Sequence, residues 1–136
     1  MCVLHVHSRS NSFAEFLKTS SLPFYRVVEK GEGRFDGKGE PSEVFVFSCD
    51  VSKKEWTDLD GQLEDAFLFL QKYEDQLKNL RRTHEVDDIR LDFPYHCRLG
   101  NGIMVQCDYL SPQFLKLAGE LGIGIELSQY PACQEE

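Results

Sequence analysis

No pair of cysteines in this chain has CxxC spacing, and the cysteines, Cys2, Cys49, Cys97, Cys107 and Cys133, number five. An odd count without close pairs fits neither a zinc ribbon nor a fully paired disulfide framework. Three of the five fall in strand-like runs, where a thiol behaves as a small apolar residue. Long apolar runs are also missing; none approaches the roughly 20 residues of a membrane helix. The first ten residues have neither the basic start nor the apolar stretch of a secretory signal. These absences predict reduced thiols in the cytoplasm and no membrane partner.

Positive charge is in short supply. Lys and Arg total 15 against 23 Asp and Glu, giving a formal net charge of −8. A phosphate backbone is repelled by such a chain unless cations gather in one patch, so nucleic acid is not expected as a partner. The densest basic cluster, Lys78, Arg81 and Arg82, sits at the end of a predicted helix, where the macrodipole accounts for it. An acidic surface suits a basic protein partner and also keeps a protein dissolved. A phosphate loop is lacking as well. Gly31, Gly33 and Gly37 depart from GxGxxG, Glu29, Glu32, Asp36 and Glu40 surround them, and a strand rather than a helix follows. No motif asks for a cofactor.

What is present is enough for one globular α+β domain spanning 1–136. A chain of 136 residues with 41% apolar content can bury roughly two-thirds of its unfolded surface. Residues 3–7 alternate, with Leu4 and Val6 on one face and His5 and His7 on the other. A short helix follows, with Ser12 and Glu15 at capping-box spacing and Phe13, Phe16 and Leu17 on its apolar face. Residues 24–29 read as a second strand, and 30–42 as a polar, glycine-rich loop. Residues 44–47 are apolar on both faces, as in a central strand covered from each side.

The longest element is a helix over about 58–83. Leu59, Leu63, Ala66, Leu70, Tyr73, Leu77 and Leu80 form its stripe, which Phe67 and Phe69 widen. The stripe is short for a coiled coil, so packing on a sheet is expected, with Leu68 pointing away. Residues 88–93 alternate, 94–102 turn the chain, and 103–109 read as a further strand. Ser111-Pro112 opens a helix that buries Phe114, Leu117, Ala118 and Leu121 and stops at Gly122. Ile123, Ile125 and Leu127 end the pattern. The predicted fold is a single, mostly antiparallel sheet of about six strands, with three helices packed on one face, in the order βαββαββαβ.

Residues 2–26 and 103–128 carry a similar apolar spacing under a shift of 101 positions. Leu4 then falls on Val105, Val6 on Cys107, Phe13 on Phe114, Phe16 on Leu117 and Leu22 on Ile123. Either a β-α-β unit is duplicated, or two such units obey the same physics.

The order of elements, the glycine-rich loop after the second strand, the long helix and the ending Leu117-Ala118-Gly119-Glu120-Leu121-Gly122-Ile123-Gly124-Ile125-Glu126-Leu127-Ser128 resemble small bacterial α+β proteins of unknown function. Some of these families sit among the immunity proteins of toxin systems. The resemblance implies an α+β fold and a protein-binding role, and it supplies no catalytic residues.

If helices cover the face bearing Leu4, Val6, Val105, Ile89, Leu91 and Ile125, alternation puts a polar set on the other face. That set is His5, His7, Arg90, Asp92, Gln106, Asp108, Glu126, Ser128 and Tyr130. It makes a candidate binding surface, unless it is merely a solvated sheet face. His5 and His7, two apart on a strand, project together and suit a shared metal, with Asp108, Asp92, Glu126 or His96 as third ligand. His96 and Cys97 are adjacent in extended chain and point apart, so they make a poor base and nucleophile. The first expectation is therefore a non-enzymatic interaction module, of which an immunity-type inhibitor is one form. The alternative is a metal-dependent hydrolase using His5, His7 and Asp108. A third is self-association through an exposed strand edge or Leu68.

Overall fold

Alternation builds the centre of the sheet. Strand β1 (Cys2–Ser8) buries Cys2, Leu4, Val6 and Ser8 on one face and half-exposes Val3, His5 and His7 on the other. The structure is a computed structural model and describes residues 1–35 and 37–132. Two antiparallel neighbours flank β1. One is β5 (Phe45–Ser52), with Leu4 opposite Cys49 and Val6 opposite Phe47. The other is β6 (Asp88–His96), with Leu4 opposite Leu91 and Val6 opposite Ile89. Strand β2 (Phe24–Val28) adds antiparallel to the outer side of β5. Strand β7 (Gly124–Tyr130) adds parallel to β6. The order is β2-β5-β1-β6-β7.

Four helices bury their apolar residues against a single face of this sheet. Helix α1 (Ala14–Thr19) contributes Phe16 and Leu17, and α4 (Pro112–Glu120) contributes Phe114 and Ala118. The stripe expected over 58–83 is buried as read, except that Tyr73 is half-exposed. It is carried by two helices, α2 (Leu59–Lys72) and α3 (Glu74–Thr83), because Tyr73 leaves the helical range at φ −108°. Leu68 is exposed, as expected. Asp58 caps α2 by accepting from Gly61 N at 2.9 Å, and Ser111 caps α4 by accepting from Phe114 N at 3.2 Å. Gly122, at φ +66°, turns the chain out of α4, and Arg81 donates to its carbonyl at 2.5 Å. No helix of the described residues is long and apolar enough to cross a membrane.

The sheet has five strands rather than about six, and it is mixed because β7 runs with β6. The strand expected over 103–109 does not form. Strand β6 already has β1 and β7 at its two sides, so no inner place remains for it. Residues 30–42, expected as a loop, hold a separate hairpin of β3 (Gly33–Phe35) and β4 (Lys38–Pro41). The capping box at Ser12 is not made. Ser12 Oγ instead donates to Glu29 at 2.8 Å, and the Glu15 carboxylate takes Lys18 at 2.8 Å. The repeat survives only in its second half. Phe13 and Phe114, and Leu22 and Ile123, are all buried, but the segment matched to β1 is not a strand. Cys2, Cys49, Cys97 and Cys107 are free thiols, and Cys133 lies outside the described residues. Burial pushes the Cys2 thiol up, and the Cys49 thiol up to about 12, so both act as core residues.

Candidate functional site

The face of the sheet away from the helices forms one wall of a groove of about 510 Å³. His5 and His7 from β1, Arg90 and Asp92 from β6, Glu126 from β7 and Arg26 from β2 all reach it, because alternation turns these positions to the same side. Arg34 of the β3–β4 hairpin, with Ser42 and Glu43 after it, lines the groove as well. The hairpin is tied down by the Arg26 guanidinium, which donates to the Arg34 carbonyl. Val46, beneath it, is buried for this reason on the side that the helices do not cover.

The polar groups are partly committed to one another. Arg90 donates to Asp88 at 2.6 Å and across the parallel pair to Glu126 at 2.8 Å. Those two acceptors hold its pKa above the ordinary arginine value. Ser128 donates to Asp92 at 2.6 Å. The His5 Nδ1 lies 2.9 Å from Ser48 Oγ, and the His5 and His7 rings meet edge-on with centroids 6.4 Å apart. Among the described residues, neither the Arg26 nor the Arg34 side chain forms an ion pair.

Burial, above all, lowers the pKa of both histidines. Asp92 and Glu126 oppose that at His5, where His7 and Arg26 reinforce it. Asp88 opposes it at His7, where Arg90 and Arg26 reinforce it. The unfolded chain therefore binds protons below about pH 6.5 that the folded chain refuses, and stability falls as the pH drops through that window. Comparing urea midpoints at pH 7.5 and pH 5.0 tests this. The wild type should lose more stability between the two than the double variant His5→Gln/His7→Gln. Equal losses would remove the histidines from the acid response.

Of the expected polar set, the structure brings together His5, His7, Arg90, Asp92 and Glu126 at the groove. Ser128 sits behind them through Asp92. Gln106 and Asp108 are not there. They belong to the irregular segment after β6, where Arg98 holds them. Its backbone N donates to Gln106 Oε1 at 2.7 Å, and its guanidinium pairs with Asp108. Asp108 thus lies in a different depression from the histidines, beside Asp58, Asp60 and Cys107, and does not complete a metal site with them. Among the described residues no three His, Cys, Asp or Glu side chains are placed to hold a metal ion. Tyr130 shares the Glu126 face of β7 but stacks on Trp56, with centroids 4.7 Å apart, and does not line the groove. Trp56 also packs on His96, at 5.3 Å.

Arg26, Arg34, Glu43 and Ser48 escaped the sequence reading. Arg26 shares strand parity with Val28, which was a usable signal. The placement of β2 beside β5, and of the hairpin over both, left no trace in local pattern. No known protein family, curated protein or solved structure matches this chain.

Proposed function

We propose that this protein is a non-enzymatic protein-interaction module that receives a partner segment in the groove on the helix-free face of its sheet. The observation that carries this reading is the pair Arg26 and Arg34. They line a concave, partly apolar site and have no ion pair among the described residues. Guanidiniums in that state are suited to take a carboxylate in a two-pronged, charge-assisted contact. At longer range the chain's net charge of −8 steers a basic partner. The partner is therefore read as a basic protein that presents an acidic side chain to the groove. Following the resemblance to immunity proteins, we take inhibition of such a partner as the form of the activity; the warrant for that step is analogy.

The test is capture at low salt by wild type and by the double variant Arg26→Glu/Arg34→Glu, with folding of both checked by circular dichroism. A charge-assisted hydrogen bond contributes about 1.5–3 kcal/mol, so losing two should weaken binding roughly 100-fold or more. A single stoichiometric partner held by the wild type and released by the variant is the expected result. A partner held equally by both would move the binding surface off the groove.

A further inference from the structure

The charges around the groove cancel when its histidines are neutral. Among the described residues its charged lining is Arg26, Arg34 and Arg90 against Glu43, Asp92 and Glu126, three of each sign. The chain around them carries a net charge of −8. An acidic side chain that approaches the groove therefore finds no surplus of positive charge in the lining, and the rest of the protein repels it. Arg26 and Arg34 can hold it at contact. Glu43 and Asp92 oppose it from the same lining, and neither belongs to an ion pair among the described residues. A further cation is needed to tip the balance.

His5 and His7 are placed to supply it. Both rings lie in the lining. Ser48 Oγ engages the His5 Nδ1 at 2.9 Å, so Nε2 is the nitrogen left to the groove. His7 has no ring hydrogen bond among the described residues, and its nitrogens are not sealed from water. Among the described residues no third ligand joins the two rings to hold a metal ion. The cation they can take up is a proton.

The groups facing each ring come from the neighbouring strands. Around His5 they are Ser48 from β5, Arg26 from β2, Asp92 and the register partner Arg90 from β6, and Glu126 from β7. Around His7 they are Asp88 and Arg90 from β6 and Arg26 from β2. Val46, opposite His7 on β5, is apolar, and Arg34 and Glu43 line the groove from the hairpin and the turn after it. Burial above all, reinforced by the arginines, disfavours the charged rings in the empty groove. A carboxylate beside them acts the other way, because an opposite charge favours the protonated form. His7 is among the groups that lower His5, so a first proton resists a second, and about one is taken up.

Given that the groove receives the partner, we propose that it binds the partner's acidic side chain together with a proton, taken from solvent onto His5 or His7. The protonated groove is the holding form and the neutral groove the releasing form. The coupling is reciprocal, so an anion that fills the groove draws a proton onto the rings.

The probe is N-acetyl tetraglutamate, which carries only negative charge. Magnetic resonance of the histidine ring protons, recorded on the full chain between about pH 5.5 and pH 8, follows the rings with and without it. The His5 and His7 midpoints should rise by about half a unit or more when the probe binds. His84, packed on Phe13 and Phe16, and His96, packed on Trp56, lie outside the groove and should not move. This readout needs no substitution. The dissociation constant should tighten as the pH falls, by roughly tenfold per unit at the steepest point for one proton taken up. In His5→Gln/His7→Gln it should stay near the neutral-pH value throughout. A probe that binds without moving the two midpoints overturns the proposal, as does an affinity equal at both ends of the range, or no binding at any pH. If Arg26→Glu/Arg34→Glu still releases a probe whose binding ignores pH, the groove reading stands without the proton. A probe held equally by that variant and the wild type overturns both.

Discussion

Phe47→Ala should cost about 3–5 kcal/mol, a large fraction of the stability of a domain, while Val105→Ala should change it by less than about 0.5 kcal/mol. Phe47 is fully buried in β5, and its ring meets Phe13 edge-on at 4.9 Å and Phe16 at 6.2 Å. Removing it opens a cavity between the sheet and α1, and short-range relaxation cannot close it. Val105 touches solvent on most of its surface, so nothing collapses when it is cut back. Urea midpoints of the two variants settle the matter. A loss under 1 kcal/mol for Phe47→Ala would mean that α1 does not rest on that ring.

Val6→Lys should abolish folding, at a cost above about 4 kcal/mol, whereas His7→Lys next to it should fold with a change of about 1 kcal/mol or less. Val6 has no exposed surface and faces Phe47 on one side and Ile89 on the other. An ammonium placed there has no partner and no route to water. At His7 it would sit in the groove with Asp88 near by. Soluble yield and the far-ultraviolet spectrum of the two variants give the answer. A folded Val6→Lys protein would show that the register of β1 is shifted by one residue.

These two comparisons also show where the sequence was legible. The alternation of β1 and β6 and the stripe from Leu59 to Leu80 put the right residues in the core, because burial against a layer imposes a period on the chain. Val105 and Phe47 carry the same local signature, yet one is core and the other is surface. Whether an apolar strand finds a neighbour depends on the places left in the sheet, and β7 fills the one that 103–109 would need. The hairpin was hidden differently. Its strands lack an apolar face, and Gly37, at positive φ, lies in its turn. Gln62 is a third kind of miss. It is fully buried on α2, where its Nε2 donates to Glu55 O and Pro94 O, and its Oε1 has no partner among the described residues. A polar helix residue acquires that role only from a strand 32 residues further on. At the candidate site the two histidines were legible from one strand. The arginines that give the groove its character needed the sheet order.

The position of β1 has a consequence for how the chain assembles during synthesis. It lies in the middle of the sheet, yet both its partners come later. Leu4 waits 45 residues for Cys49 and 87 for Leu91, from 49 − 4 and 91 − 4. At roughly 5–20 residues per second, the second partner emerges several seconds after β1 does. Through that interval Cys2, Leu4 and Val6 have no completed sheet to enter, and two long loops must close before the core exists. The central strand is thus the one most dependent on protection while the ribosome is still at work.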